Sequence, residues 1–174
     1  MEDSFNPFRL VMQPNENDVS RSGNGNFDEE TVASSEDAPA REVIISDSRD
    51  AILARELMEE ANHGNHSAAR HLAYILKKYD QIAAGNFLID HGYDGEGWET
   101  LGDCFDDESL HSEALELYKE SAKTGFPCGM CKLGRYYAEG KGIRKNTRLA
   151  KKWLTKAALK CSDAKDYLDQ YGLR

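Results

Sequence analysis

The clearest pattern of apolar and polar positions runs from Cys128 to Cys161, where apolar residues recur every three or four residues. This spacing puts them on one face of a helix, so each half of the segment predicts an amphipathic helix. Gly140-Lys141-Gly142 separates the halves and permits a chain reversal, and Asn146 stands where it can cap the second helix. The apolar positions are Met130, Leu133, Tyr136 and Tyr137, then Leu149, Ala150, Trp153, Leu154, Ala157 and Ala158. The segment is therefore predicted to be a helical hairpin.

The same arrangement recurs earlier in the chain, which makes it an internal repeat. A leucine followed by a small residue occurs as Leu72-Ala73, Leu101-Gly102 and Leu133-Gly134, at intervals of 29 and 32 residues. A small residue also closes each second helix. These closing positions are Gly64, Gly92, Gly125 and Cys161, at intervals of 28, 33 and 36 residues. A period of about 34 residues with variable loops is typical of stacked helical hairpins.

Two of the units carry the motifs of known repeat families. The run Trp98-x-x-Leu101-Gly102-x-x-Phe105, followed by Ala114 and Tyr118, matches the tetratricopeptide pattern. The next unit resembles the SEL-like repeat, a relative of the tetratricopeptide repeat. That resemblance rests on Leu133-Gly134-x-x-Tyr137-x-x-Gly140-x-Gly142-Ile143, followed by Ala150-x-x-Trp153-x-x-x-Ala157-Ala158. Asn146 and Cys161 stand where that family usually has Asp and Gly. The resemblance implies an all-α fold, a right-handed solenoid of stacked antiparallel helix pairs.

The repeats divide residues 48–174 into units with about eight helices. An orphan helix at about 50–64 precedes helix pairs at 65–93, 94–126 and 127–161, and residues 162–174 are predicted to form a capping helix. Stacking gives one continuous core, because no single hairpin can cover its own apolar face. The predicted structural positions are Leu72, Trp98, Leu101, Gly102, Phe105, Ala114, Tyr118, Leu133, Gly134, Tyr137, Gly140, Gly142, Ala150, Trp153, Ala157 and Ala158.

Residues 1–47 differ in composition from the repeats. They contain 11 acidic and 3 basic residues and the prolines Pro7, Pro14 and Pro39. Such a segment buries too little apolar surface to offset its ordering entropy, so we predict an acidic disordered tail, with at most transient order at Phe5–Met12. Charge is also uneven beyond the tail. Residues 49–127 have 7 basic and 16 acidic residues, whereas residues 128–174 have 12 basic and 4 acidic residues.

The sequence disfavours several classes of protein. Residues 1–12 lack the features of a secretory signal and no apolar run is long enough to cross a membrane, so we expect a cytoplasmic protein without membrane insertion. The basic run from Lys141 to Lys160 is interpreted as the solvent face of a helix, and no nucleic-acid partner is predicted, because the chain as a whole is acidic. We find no phosphate-binding loop, dinucleotide-binding glycine motif or nucleophile–base pair, so neither an enzyme nor a cofactor is expected.

The resemblance implies a protein–protein interaction adaptor or scaffold, monomeric or weakly oligomeric, that binds another protein. In this repeat geometry the first helix of each pair lines the concave face, and the positions two before and two after each anchor leucine face the groove. The predicted partner-binding residues are Arg70, Tyr74, Glu99, Asp103, Asp107, Arg135, Asp166 and Gln170, and Cys131 occupies an equivalent position. The acidic residues Glu99, Asp103 and Asp107 predict a preference for a ligand with a basic segment.

An alternative function rests on the cysteines. Cys128 and Cys131 form a C-x-x-C at the start of a predicted helix, where thiol pKa values tend to fall. A small thiol-redox or metal-responsive regulatory protein is therefore the alternative, although a zinc site needs four ligands and no second C-x-x-C is present. The histidines His63, His66 and His71 span the predicted helix break at Gly64 and are interpreted as surface residues around a turn.

Overall fold

Amphipathic segments joined by short connections fold into a stack of helices. The computed structural model of the chain describes residues 8–12 and 41–174, and eight helices follow one another within the described residues. They are α1 (Ser48–Asn62), α2 (His66–Tyr79), α3 (Gln81–Asp90), α4 (Asp94–Asp107), α5 (His111–Lys123), α6 (Pro127–Glu139), α7 (Thr147–Ala157) and α8 (Asp163–Gln170). Each helix packs against the next, which confirms the predicted fold of stacked helix pairs.

The connection between α6 and α7 shows how the sequence reverses the chain. Gly140 ends α6 with a φ of 80°, a left-handed conformation that residues with a Cβ rarely adopt, and its N–H donates to the Tyr136 carbonyl at 2.8 Å. Asn146 then caps α7, because its side chain accepts from the Leu149 N–H at 3.0 Å. Gly134 faces α7 so closely that a Cβ there would lie 2.7 Å from Leu154 Cγ. The glycine and the cap thus do what the pattern predicted.

The helices form two layers. Besides its neighbours in sequence, α4 contacts α6, and α6 contacts α8, whereas α5 and α7 are farther apart. The helices α4, α6 and α8 thus lie side by side, and ion pairs of Arg70 and Lys77 connect α2 to the same side of the stack. We call this side the inner face, and it carries the residues that were predicted to face the groove.

The core runs along the stack between the two layers. Its deepest aromatic side chains are Phe87, Tyr118 and Tyr136, and the rings of the last two meet edge to face with centroids 5.1 Å apart. Tyr136 is thus the fully buried aromatic residue of α6, whereas the predicted Tyr137 is only half-buried. Leu72, Leu101, Gly102, Ala114, Tyr118, Leu133, Gly134, Ala150 and Ala157 are buried as expected, and Trp98, Phe105, Trp153 and Ala158 are half-buried.

Two short strands precede the helices, and here the structure differs from the predicted disordered tail. β1 (Phe8–Met12) and β2 (Arg41–Ile45) pair in parallel, with Phe8 opposite Arg41. Val43 and Ile45 are each 2% exposed in the core of the first helices, whereas Ile44 between them faces outward. Alternating β-branched residues thus bury one face of β2, which the average composition of the tail did not suggest. Residues 1–7 and 13–40 of the predicted tail lie outside the described residues.

Candidate functional site

The predicted partner-binding residues differ widely in their exposure. On α2, Tyr74 is 81% exposed and Arg70 is also exposed. On α8, Asp166 and Gln170 are exposed, as is Asp107 at the end of α4. Three other positions are largely covered: Glu99, Asp103 and Arg135. Cys131 is 3% exposed and packs in the core of the last unit, so it does not face the groove.

A cavity of about 540 Å³ opens on the inner face beside α2 and the start of α4. We call it the α2–α4 cavity. Two tyrosine rings, two imidazoles and a salt bridge line it, so it offers both apolar faces and hydrogen-bonding groups. Its lining residues are His66, Ser67, Arg70, His71, Tyr74, Tyr93 and Glu96.

Fixed contacts hold one wall of the α2–α4 cavity. Arg70 Nε lies 3.2 Å from Glu96 Oε2, and the Arg70 guanidinium lies 5.8 Å from the centre of the Tyr93 ring. The Tyr93 hydroxyl donates to the His66 carbonyl at 3.0 Å, which ties the start of α4 to the start of α2. Because these groups are already paired, the wall is organised before any ligand arrives.

Tyr74 also borders a second cavity of about 480 Å³. Asp50, Ile75, Lys77 and Lys78 complete its lining. Asp50 accepts hydrogen bonds from Lys78 Nζ at 2.9 Å and from the Tyr79 hydroxyl at 2.7 Å, and these bonds hold the pKa of Asp50 below its usual value. The exposed Tyr74 ring thus stands between two concave surfaces.

Farther along the inner face, α2, α4 and α6 are linked by a cluster of charged side chains that we call the ion-pair cluster. It consists of Lys77, Glu99, Asp103 and Lys132. Lys132 Nζ donates to Asp103 Oδ1 at 2.7 Å, and the Tyr118 hydroxyl donates to the same oxygen at 2.7 Å. Glu99 and Asp103 are therefore paired with cations of the protein itself and offer little negative charge to a ligand.

Glu99 is the member of the ion-pair cluster whose charged form is disfavoured by its surroundings. Its side chain is 14% exposed, and Lys132 Nζ lies 3.9 Å from its Oε1. Burial, together with repulsion from Asp103, raises the pKa of Glu99 from its usual 4.5 to about 7, although Lys132 and Lys77 oppose the shift. Glu99 consequently exchanges a proton near neutral pH.

Asp106 joins α4 to the following unit in a similar way. Arg135 donates to Asp106 Oδ2 at 2.7 Å, and His111 Nδ1 and Lys141 Nζ lie 3.1 Å and 3.6 Å from Asp106 Oδ1. Burial alone would raise the pKa of Asp106, yet the Tyr136 hydroxyl and the nearby cations bring it below its usual value. The predicted groove residue Arg135 therefore forms an ion pair that connects two units.

The cysteines do not favour the redox alternative. Burial raises the pKa of Cys128 to about 11 and also raises the pKa of Cys131, contrary to the decrease expected at a helix start. Cys131 lies in the core of the last unit together with Cys161, and Cys128 is half-buried against that core. Within the part of the chain that the structure describes, no group of three or more His, Cys, Asp or Glu side chains could hold a metal ion.

Sequence reasoning missed the partners of the groove residues. Glu96, Tyr93 and Lys132 were not singled out, although they pair with residues on a neighbouring unit. The paired residues are separated by 23, 26 and 29 positions, and the two salt bridges are each three positions shorter than the interval between the anchor leucines of their units. Opposite charges about one helical turn short of the repeat interval are the signal that could have revealed the salt bridges.

No helix in the described part of the chain combines the length and apolar character needed to cross a membrane. A comparison of the sequence with curated proteins gives no match. Residues 129–160 match the Sel1 repeat family, in the unit formed by α6 and α7.

A solved structure supports the same assignment. The crystal structure of a Sel1 repeat protein from Oxalobacter formigenes is similar to this fold, with a TM-score of 0.51 and 26% sequence identity. The match covers 67% of this chain and 96% of that chain. The repeat match and the structural match together support a SEL-like repeat protein of the tetratricopeptide-like superfamily, with a Sel1 repeat at residues 129–160.

Proposed function

We propose that this chain is a protein–protein interaction scaffold that binds a segment of a partner protein at the α2–α4 cavity. The exposure of Tyr74 carries this proposal. An aromatic side chain that is 81% exposed contributes little to folding, and tyrosine is among the residues that most often dominate binding energies at interfaces. The middle of the inner face is less available, because salt bridges occupy Asp103, Asp106 and Arg135.

The lining of the cavity suggests the kind of segment that fits. Tyr74 and Tyr93 offer ring faces to an apolar or aromatic side chain, and His66, His71 and Ser67 can hydrogen-bond to a peptide backbone. Arg70 and Glu96 neutralise each other, so charge does not dominate the site. A preference for basic ligands, expected from the sequence, would rest on Asp107 alone.

The proposal includes no catalysis by the chain and no cofactor. We place the scaffold in the cytoplasm, where reducing conditions keep cysteines as thiols, which suits the thiols of Cys128, Cys131 and Cys161. SEL-like repeats stack into extended surfaces that serve as docking platforms, which is consistent with this role.

Photo-cross-linking tests where a partner binds. A benzoylphenylalanine replacing Tyr74 in the full-length chain should cross-link to partner proteins in lysate of the host, and the adducts are identified by mass spectrometry. The same group replacing Ile52, which is 59% exposed on α1, is the matched control and should give no such adducts.

Capture with simple variants completes the test. Tyr74→Ala should lose the proteins retained by the unmodified chain, whereas Ile52→Ala should retain them. If Tyr74→Ala captures the same proteins at the same level, the cavity is not the binding site.

A further inference from the structure

A second surface lies on the outer layer, on α7. Arg148, Lys152, Lys156 and Lys160 follow one another at intervals of four residues and are all exposed. We call them the basic ridge. At 1.5 Å per residue, its members within the helix are spaced about 6 Å apart along the axis and lie close to one line.

No carboxylate of the described residues forms an ion pair with the basic ridge. This sets it apart from the cations of the inner face, since Lys77, Lys132, Arg135 and Lys141 each lie within 4.0 Å of an acidic group. Within the ridge, Lys156 Nζ lies 5.3 Å from the centre of the Trp153 ring.

The basic ridge does not serve the stability of its own helix. Like charges four residues apart repel each other, and the first turn of α7 contains Arg148 but no acidic residue. A cation at that end also opposes the helix dipole, which favours negative charge at a helix N-terminus. These costs within the folded chain would be relieved by negative charge from outside.

An apolar anchor lies at the end of the basic ridge. Leu159, in the turn that follows α7, is 85% exposed, the highest value among the exposed large apolar side chains of the described residues. Leu159 comes directly before Lys160, the last member of the ridge. A ligand that follows the ridge therefore meets a line of cations with an exposed leucine side chain at its C-terminal end.

We propose that the basic ridge and Leu159 form a second docking surface, for an acidic helical segment of a partner protein. A helix with a glutamate or aspartate at every fourth residue repeats the spacing of the ridge, and one apolar residue beyond its last acid would cover Leu159. The surface is small and the rest of the chain is acidic, since residues 49–127 have 16 acids and 7 bases. A short acidic peptide meets only the ridge, whereas a long nucleic acid or a membrane plane would also face those acids.

The test uses the full-length protein and a fluorescein-labelled peptide with glutamates at every fourth residue and a leucine beyond the last. A scrambled peptide of the same composition is the control ligand. Fluorescence anisotropy at low salt should show binding of the patterned peptide that is about tenfold tighter than that of the scrambled one and that weakens as salt rises.

Variants assign the binding to the ridge. Lys152→Glu with Lys156→Glu should weaken binding by about tenfold or more, and Leu159→Ala should weaken it by about threefold. Lys119→Glu with Lys123→Glu is the matched control, because it makes the same charge change at the same spacing on α5. It should weaken binding by less than about threefold, and Tyr74→Ala should leave binding unchanged. Far-ultraviolet circular dichroism checks that each variant is folded, and Lys152→Gln with Lys156→Gln replaces the reversal if that variant unfolds.

Three outcomes would overturn the proposal. One is equal binding of the patterned and scrambled peptides, and another is equal loss in the α5 control. The third is tighter binding of a single-stranded RNA oligomer, or of phosphatidylserine vesicles, that is lost with the ridge at the same salt.

Discussion

Two halves of the inner face use the same repeat positions in opposite ways. Tyr74 and Asp103 both lie two residues after an anchor leucine, yet Tyr74 is exposed beside a cavity while Asp103 is bonded to Lys132 and Tyr118. The difference comes from the next unit. Lys132, one residue before its anchor leucine, reaches back to Asp103, whereas the equivalent residue beside Tyr74 is Thr100, which is short and buried.

This contrast shows what decides whether a repeat surface is open. Position in the repeat determines the direction in which a side chain points, and the neighbouring unit determines whether that side chain finds a partner. Where it finds one, the surface holds units together. Where it finds none, the surface is left for binding.

We call the part of the inner face with the ion-pair cluster the closed half, and the part with the α2–α4 cavity the open half. The largest expected effect is the change in the stability of the protein with pH, which depends on the closed half. Because the folded-state pKa of Glu99 is about 7 and its usual value is 4.5, the folded protein holds an extra proton between these pH values. The free energy of unfolding should therefore fall as pH rises through that window, by roughly 3 kcal/mol in total. Urea denaturation at pH 5 and pH 8 measures it, and Glu99→Gln should remove most of the decrease.

Glu96→Gln is the control for this measurement, since Glu96 belongs to the open half and its side chain is more exposed. It should keep most of the pH dependence of the unmodified chain, because Glu96 contributes less to the raised pKa of Glu99 than burial or Asp103 does. An identical decrease for Glu99→Gln and the unmodified chain would contradict the assignment.

A second variant disturbs the packing of α6 against α7. Gly134→Val should lower the free energy of unfolding by about 2 kcal/mol, because its Cβ would lie 2.7 Å from Leu154 Cγ and force α6 and α7 apart. Thermal or urea denaturation measures the loss. Gly134→Ala combined with Leu154→Ala should cost less than the sum of the two single changes, since the smaller side chain at 154 leaves room for the new Cβ. Strict additivity would argue against this contact.

Removing the acceptor at the centre of the ion-pair cluster should have a smaller effect. Asp103→Ala leaves the buried Tyr118 hydroxyl without its acceptor, at a cost of about 1–2 kcal/mol. Lys132 keeps Glu99 as a neighbour, which limits the loss. The change also removes the repulsion on Glu99, so the pH dependence of unfolding should move to lower pH. A pH profile that does not move would show that Asp103 has no part in raising the pKa of Glu99.

The smallest effect is expected in the open half. Tyr74→Ser should change the free energy of unfolding by less than about 0.5 kcal/mol, because the exposed ring has few contacts to lose. Urea denaturation measures this change. A loss of more than about 1 kcal/mol would mean that Tyr74 supports the fold, and would weaken its assignment to binding.

Much of the helical architecture could be predicted from the sequence, because the information is local. The apolar spacing of α6 and α7, the turn at Gly140 and the cap at Asn146 each depend on residues close together in the chain. The internal repeat then extended that one hairpin to the rest of the stack.

The sequence was less informative wherever distant residues cooperate. β1 and β2 are five residues each and pair across a long separation, so neither has a periodic pattern strong enough to stand out in an acidic segment. The groove rule identified Arg70 and Tyr74 as exposed but could not show that Lys132 neutralises Asp103. Burial also reversed the expected change in the pKa of Cys128, because the fold packs the start of α6 against a core.

The β2 strand also bears on how such an array can evolve. Val43 and Ile45 pack against α1 and α2 and cover apolar surface of these helices. A helix pair added against that surface by gene duplication would first have to displace the strand. An interior unit such as α4 and α5 has helices on both sides, so a copy inserted beside it would meet a complementary surface at each end. Lengthening of this array should take place from within.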